Sequence, residues 1–511
     1  MTAGPLSARV AALCNEVSYR LGGTTRASVG EVSRRLGEPL RVAIAGRLKA
    51  GKSTLVNALI GRRVAPTEVG ECTRVVTQFR YGTADRVDVA RRAGPPASLP
   101  LDPHGMIPQR LGVPRPEISH VDVSLTTDRL REMTVIDTPG LSSTNTQISA
   151  GTQAFLFDGD TADGRADSDS ENAISGAEAI IYVFTQSART DDVAALEAFR
   201  SMSARWSANP INSIGLFNKA DKTVAGGDPW PTAGPLAADM ATALRRQVAD
   251  VVPVIGLLAE TTEAGRLTAA DCEALRSLAA LSASERTVLT ASADLFKARQ
   301  APVDSEQRAR LVELLDLYGI QFAMAQFDNE PSLGTSELVR RLHLASGFPR
   351  VRQTIDQALR HRADAIKAGW ALSQLEAIAA RSGHPGEREY LRSATEQVLR
   401  QPEYHQLRLI EAAQQVATGA VALPADMETE VSRLALSNNA AWILNMENAP
   451  PQALEHAALQ AASRWRAFAV SGANPAQSRI ADVIHRGYYL LAQRLKSPPM
   501  NQPMMTREYM R

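Results

Sequence analysis

The chain has 511 residues, 44% of them hydrophobic, and a formal net charge of +1. That length predicts two or three domains with ample cores, and the near-neutral balance excludes a global field for nucleic acid. Aromatic residues make up only 5% without basic interleaving, which argues against a base-stacking surface; the three scattered cysteines, Cys14, Cys72 and Cys272, give no disulfide framework or zinc spacing and fit a reducing compartment.

In chain order, the first segment shows no signal-peptide pattern, since residues 1–20 hold no long apolar run and carry Glu16. Nowhere is there a stretch of about 18 apolar residues, so any membrane contact is expected to be peripheral. Leu6, Val10, Leu13, Val17 and Leu21 recur at helical spacing and predict a helix over 6–22. An apolar strand pattern, Leu40 to Ala45, then leads into Gly46-Arg47-Leu48-Lys49-Ala50-Gly51-Lys52-Ser53, followed by a helix pattern from Thr54 to Ile60. Strand, glycine-rich loop and helix in that order form a phosphate cradle. Backbone N–H groups of the turn from Gly46 through Lys49, Ala50 and Gly51 to Thr54 wrap phosphate oxygens, Lys52 reaches the outer phosphates, and the Ser53 hydroxyl is placed to ligate Mg²⁺.

Three later segments choose the base. Val135-Ile136-Asp137-Thr138-Pro139-Gly140 is an apolar strand ending in Asp-x-Pro-Gly. Asp137 is expected to hold Mg²⁺ through water, and the Gly140 N–H to meet a γ-phosphate. Ile214 to Phe217 leads into Asn218-Lys219-Ala220-Asp221. A carboxylate at Asp221 accepts both guanine N–H donors, which adenine does not offer, and a buried carboxylate left unpaired is costly; the Lys219 stem lies over the base plane. Val254 to Ala259 reads as another strand-to-loop segment closing on the base. Between the cradle and Asp137 lies Pro66-Thr67-Glu68-Val69-Gly70-Glu71-Cys72-Thr73-Arg74. Thr73 is the expected switch residue, ligating Mg²⁺ and sensing the γ-phosphate, with Thr67 as its rival.

Together the run Gly-x-x-x-x-Gly-Lys-Ser-Thr-Leu-x-Asn-Ala-Leu-x-Gly, then Pro66-Thr67, Cys72-Thr73-Arg74 and Asp137-Thr138-Pro139-Gly140 resemble the dynamin-like GTPases. The bacterial branch, especially the actinobacterial isoniazid-inducible dynamin-like proteins, is the most similar through Arg47 to Thr54, Gly256 to Thr261, and Ser346 to Arg352. The resemblance implies a P-loop GTPase domain, a doubly wound and mostly parallel sheet, joined to an elongated helical-bundle stalk, with GTP/GDP and Mg²⁺ as ligands. Two departures bear on catalysis. Leu141 follows Gly140, where Ras-like enzymes carry the glutamine that orients water. Lys49 occupies the loop position where dynamins hold a Ser for a monovalent cation and guanylate-binding proteins an arginine finger, and Leu48 replaces the Gln before it. Lys49 either supplies a cation at the β–γ bridging oxygen, acting in catalysis with Lys52 and Thr73, or faces solvent and only steers nucleotide.

The expected domains are an N-terminal helix in 1–38 packing with C-terminal helices, a GTPase domain over 39–345, a helical bundle over 346–496, and a disordered tail over 497–511. Ile180 to Phe184 reads as a buried strand, Leu196 to Arg200 as part of the helix beyond it, and 262–330 as a helical insertion. Asp158 to Glu171 is an acidic run whose spacing fails as a calcium loop and reads as solvated. In the bundle, helices are expected at 351–375, 387–416, 426–444, after Pro450-Pro451, and from Pro475 with Ile480, Ile484, Tyr488 and Leu491 inward. Val416 to Pro424 is apolar and charge-free, either a membrane-touching tip or a buried bundle end. Arg350, Arg352, Arg360, Arg362 and Lys367 form either a lipid-facing cluster or a solvated helix face. The leading functional expectation is a GTP-hydrolysing mechanoenzyme, cytoplasmic or peripheral on the inner face of the cell membrane. It would dimerise with itself on nucleotide and remodel or repair membranes, with no nucleic-acid partner. The alternative is a regulatory switch or a scaffold for a paralogous dynamin-like chain.

Overall fold

The computed structural model describes residues 4–47, 49–66, 75–138, 177–185, 212–224, 226–245, 247–399, 404–417, 419–437 and 439–496. Thr67, Cys72, Thr73, Gly140, Leu141, Leu48, the acidic run at 158–171, the helix at 196–200 and the tail at 497–511 lie outside the described residues. The chain divides into two compact units, Met1–Ile378 and Ala379–Arg511.

The first unit is organised by a nine-stranded mixed sheet in the order β4-β3-β5-β2-β6-β1-β7-β8-β9. Strands β1 (Leu40–Gly46), β6 (Met133–Asp137), β7 (Ala179–Thr185), β8 (Ser213–Asn218) and β9 (Val251–Val254) run parallel as one block. Near-continuous apolar runs such as Ile180-Ile181-Tyr182-Val183-Phe184 suit strands buried on both faces. β2 (Thr77–Tyr81) joins antiparallel to β6 and parallel to β5 (Ile118–Leu125), and β3 (Arg86–Arg91) and β4 (Ala97–Leu99) extend the edge antiparallel.

Alternation along β1 sends Val42 and Ile44 to one face and Ala43 and Ala45 to the other, so one strand serves two cores. The Val42 face packs against α3 (Lys52–Ile60) and against Phe348, Val351 and Ile355 of a later helix. The Ala43 face packs under the helical insertion, where the long helix Ser305–Asn329 buries Leu311, Leu314, Leu315, Ile320 and Ala323. The expected start of the bundle at 346 differs from the unit boundary after 378. The reason is burial: Phe348, Val351, Ile355, Leu359 and Ile366 belong to the same apolar cluster as the sheet.

Two helices occupy the N-terminal region, α1 (Pro5–Ser18) and α2 (Gly23–Leu36), with Leu6, Val10, Leu13, Val17 and Leu21 buried as the periodicity requires. α1 lacks a capping side chain of its own. Asp364 supplies one, accepting from the Leu6 N–H at 2.9 Å and the Ser7 N–H at 2.8 Å. α2 was not anticipated; it follows a Gly22-Gly23 break and buries only Val29, Val32 and Leu36.

The second unit is helical. Pro451–Ser471 and Pro475–Lys496 pair as a hairpin, and Trp465, Ile480, Ile484, Tyr488 and Leu491 are buried. The close approach of the second of these helices to Leu434 and Leu409 occurs at Gly487, where a Cβ would lie 2.7 Å from the Leu434 side chain. The helix expected over 387–416 divides into Pro385–Leu399 and His405–Ala417, and that expected over 426–444 into Ala425–Leu436 and a short turn at Ala440–Ile443. Val416, Val421 and Leu423 are buried, while Gly419, Ala420, Ala422 and Pro424 of the same charge-free stretch are exposed. Arg352 pairs with Glu263 at 3.3 Å, Arg360 with Asp356 at 2.8 Å, Arg362 is buried, and Lys367 donates to the Glu38 carbonyl. No helix among the described residues is long and apolar enough to cross a membrane.

His405 is 5% exposed. Burial, with Arg486 and Arg408 adding repulsion, lowers its imidazole to about 4. A base depressed in the fold favours the neutral form, so stability is complete above the unfolded value near 6.5 and is lost as pH falls from there toward 4. We expect roughly 2 kcal/mol of stability to disappear between pH 7 and 4.5 from this group. His405→Leu should flatten that part of the pH profile in denaturant titrations, and an unchanged slope would exclude the imidazole as its source.

Candidate functional site

The site forms where β1, β6 and β8 end together at their C-terminal edges, the place at which open α/β sheets bind ligands. Ile44 of β1 lies in register with Asp137, and β7 carries the sheet on to Asn218 of β8, which aligns with Thr185 and Val254. The loop leaving β1 needs glycine twice. Gly46 has φ +148° and a Cβ there would lie 2.5 Å from the Val183 carbonyl; Gly51 has φ +90° and its Cβ would lie 2.3 Å from Asn218 Nδ2. Lys49 also adopts positive φ, 62°, and is exposed.

Lys52 folds back into the loop. It is 8% exposed and its ammonium donates to the Gly46 carbonyl at 3.1 Å and the Arg47 carbonyl at 3.0 Å. Burial pulls its pKa down and Asp137 partly restores it. Ser53 Oγ donates to Asp137 Oδ2 at 2.9 Å, while the inaccessible Asp137 Oδ1 has no hydrogen-bond partner among the described residues. Burial lifts the Asp137 carboxyl to about 6, against the pull of Lys52 and Ser53. Thr138 anchors the strand end, its hydroxyl donating to the Ile44 carbonyl at 2.8 Å. A hydroxyl and a carboxylate with one orphaned oxygen are hard donors of the kind Mg²⁺ takes, so these residues fit that ion.

Asn218 ties three segments together. Its Nδ2 donates to the Ala50 carbonyl at 2.8 Å, and its Oδ1 accepts from the Lys219 N–H at 2.8 Å and the Gly256 N–H at 2.9 Å. Lys219 holds positive φ, 60°, and its ammonium donates to the Lys49 carbonyl at 3.1 Å, so its stem spans from the turn to the loop. The Asp221 side chain is 6% exposed with Lys222 Nζ 3.4 Å away. Burial raises its pKa and Lys222 opposes the rise. Gly46, Lys49, Ala50, Gly51, Lys52, Ser53, Thr54, Asp137, Asn218, Lys219 and Asp221 thus come to one edge of the sheet.

Sequence reasoning missed a supporting polar network. Asn57 is fully buried; its Oδ1 accepts from the Val64 and Ala65 N–H groups at 3.0 and 2.8 Å, and its Nδ2 donates to the Ala65 carbonyl at 2.9 Å and Glu260 Oε1 at 2.8 Å. It thereby fixes the chain at the point where the segment containing Thr67 and Thr73 begins. The signal was present as the Asn of Leu55-Val56-Asn57-Ala58-Leu59, a polar residue on an otherwise apolar helix.

Comparison with known proteins bears on the family of the chain. A model of the dynamin family matches residues 42–99, which include the glycine-rich loop. The isoniazid-induced protein IniC of Mycobacterium tuberculosis is 31% identical over 469 residues, covering 90% of this chain and 91% of that protein. A bacterial dynamin-like protein of Nostoc punctiforme is 45% identical over 49 residues, 10% of this chain and 7% of that one. A solved oligomerised bacterial dynamin pair covers 96% of this chain and 74% of its own at 13% identity and a TM-score of 0.31, too loose to inform the site. With the glycine-rich loop, the strand that ends in Asp137 and the Asn-Lys-x-Asp turn on one sheet edge, and a relative aligned along nearly its whole length, the chain belongs to the dynamin family of GTPases, in its bacterial branch.

Proposed function

We propose that this chain binds GTP with Mg²⁺, hydrolyses it to GDP and phosphate, and couples the cycle to self-association and to peripheral work on a membrane surface in the cytoplasm. The observation that carries the reading is the Asn218 amide, which joins the phosphate loop, the base-recognition turn and the β9 loop in one set of bonds. Ser53 and Asp137 would hold Mg²⁺, with Thr73 as third protein ligand, and the ion when bound neutralises charge shared by the β- and γ-phosphates. Lys52 would exchange the Gly46 and Arg47 carbonyls for phosphate oxygens. Asp221 would take the two N–H donors of guanine, and Lys219 would cover the base. Gly140 would meet the γ-phosphate.

With no glutamine after Gly140, orientation of water and charge falls to other groups. Lys49, exposed in the nucleotide-free loop, would have to turn toward the bound nucleotide to act as a cation in cis. Its replacement by Ala is expected to cut turnover about 30-fold with GDP affinity little changed; equal turnover would leave Lys49 a steering charge only. The burial of Val416, Val421 and Leu423 favours a second reading, a switch or a scaffold for a paralogous chain that does not touch lipid. GTP hydrolysis measured against protein concentration, with and without anionic liposomes, separates the two. Specific activity rising with concentration and again with liposomes supports the membrane enzyme; slow turnover indifferent to both supports the switch or scaffold.

A further inference from the structure

The long helix Ser305–Asn329 is broken once, at Asp316, where φ is 50° and ψ −177°. An L-residue holds such a backbone only where its surroundings enforce it, and such sites cluster at functional positions. The break lies beside the base-recognition turn. Asp316 Oδ1 accepts from the Leu317 N–H at 2.7 Å, satisfying a donor the break exposes, and Oδ2 accepts from Lys222 Nζ at 2.8 Å. Lys222 is the residue after Asp221 and stands 3.4 Å from Asp221 Oδ2, so one ammonium is shared by two carboxylates and lies nearer to Asp316.

The surroundings brace this arrangement from a second side. Thr261 donates its hydroxyl to the Leu314 carbonyl at 2.6 Å, next to the break. Thr261 belongs to the helix Gly256–Glu263, whose first N–H, that of Gly256, bonds Asn218. At Gly319 the broken helix touches Leu258 of the same helix, where a Cβ would lie 2.6 Å from a Leu258 methyl. A ring of contacts therefore runs from Asn218 through Gly256, Thr261 and the break to Asp316, Lys222 and Asp221.

We propose that Asp316 is a positioning residue for base selection: it takes the closer share of the Lys222 ammonium, 2.8 Å against 3.4 Å from Asp221 Oδ2, and so weakens its competition for the Asp221 oxygens with a base that has two adjacent N–H donors. The inference rests on the guanine reading above. Guanine presents a ring N–H and a 2-amino group, which a carboxylate meets with two oxygens; hypoxanthine lacks the amino group and needs one. An ammonium seated on Oδ2 would cancel guanine's advantage and leave hypoxanthine binding nearly untouched. Burial alone would depress Lys222, but Asp316 and Asp221 outweigh it and hold the ammonium above its ordinary value, so it is charged and able to compete.

The test compares dissociation constants of GDP and IDP. Asp316→Asn keeps the side-chain volume, the bond from Leu317 N–H and tolerance of positive φ, and removes only the charge. The expected result is a GDP-over-IDP preference reduced about fivefold, with IDP affinity nearly constant. Adding Lys222→Ala to that variant should restore the preference, because nothing then competes for Oδ2. A ratio unchanged in Asp316→Asn, or a loss shared equally by both nucleotides and not rescued by Lys222→Ala, overturns the proposal while leaving the guanine reading intact. Asp221→Ala is the control for that reading: a wild-type ratio of one, or no response to Asp221→Ala, overturns both.

Discussion

Lys52→Met is expected to lower GTP turnover by roughly 10²–10³-fold, the scale on which a single preorganised charge at a developing oxyanion acts. The nucleotide-free protein should meanwhile melt at the same temperature or higher. Burial depresses the Lys52 ammonium, so the fold disfavours its charged form at neutral pH, and removing the charge relieves that cost. Against this stand two bonds to backbone carbonyls, of Gly46 and Arg47, and the attraction of Asp137, which only partly offsets the burial. The paired measurement is turnover and apo thermal stability. Wild-type turnover would remove Lys52 from catalysis, and a large drop in apo stability would mean that the lysine is a structural strut.

The second large effect is on folding. Glu178, which directly precedes β7, is 2% exposed and accepts from Arg35 Nη2 at 2.9 Å and the Arg41 N–H at 2.6 Å. Arg35 in turn stacks over Trp370 at 3.7 Å from the ring centroid. Burial raises Glu178 and lowers Arg35, each held partly in check by the other. Such pairs cost heavily to desolvate, and breaking one by deleting a single partner costs about 3–5 kcal/mol because the second charge stays buried. Glu178→Ala is expected to lose about 3 kcal/mol in denaturant titration. The double variant Arg35→Met/Glu178→Met should recover more than half of that loss, since neither charge remains to be buried. Additive losses would show that the pair itself, and not the stranded charge, carries the stability.

The residues that place the site in sequence are those whose chemistry demands neighbours. Gly46 to Ser53 must be contiguous because one turn of backbone wraps one phosphate group, and Asn218 to Asp221 because one turn meets one base. Asp137 was legible because a strand ending in a carboxylate puts its charge at the sheet edge. The sheet was legible from runs such as Ile180 to Phe184, though the antiparallel entry of β2 was not, since alternation in Thr77 to Tyr81 is the same for either direction. Pairs distant in sequence were invisible. Asn57 meets Glu260 across 203 residues, Arg35 meets Glu178 across 143, and Lys222 meets Asp316 across 94. No local period encodes any of these; each depends on a fold already built. The apolar stretch from Val416 to Pro424 left a membrane tip and a buried bundle end equally open in composition, because composition does not say which side of a turn a valine faces; the packing turns Val416, Val421 and Leu423 inward and leaves Ala420 and Ala422 exposed.

The Asn218 amide has a thermodynamic corollary. Its donor grips the glycine-rich loop and its acceptor grips the Lys219 turn and the loop at Gly256, so under the proposed GTP reading neither the phosphate half nor the base half could shift without straining the other. Base and phosphate recognition would then be linked functions rather than additive ones. Guanosine and inorganic triphosphate, offered as separate molecules, should each raise the affinity for the other, and by reciprocity the two factors must be equal.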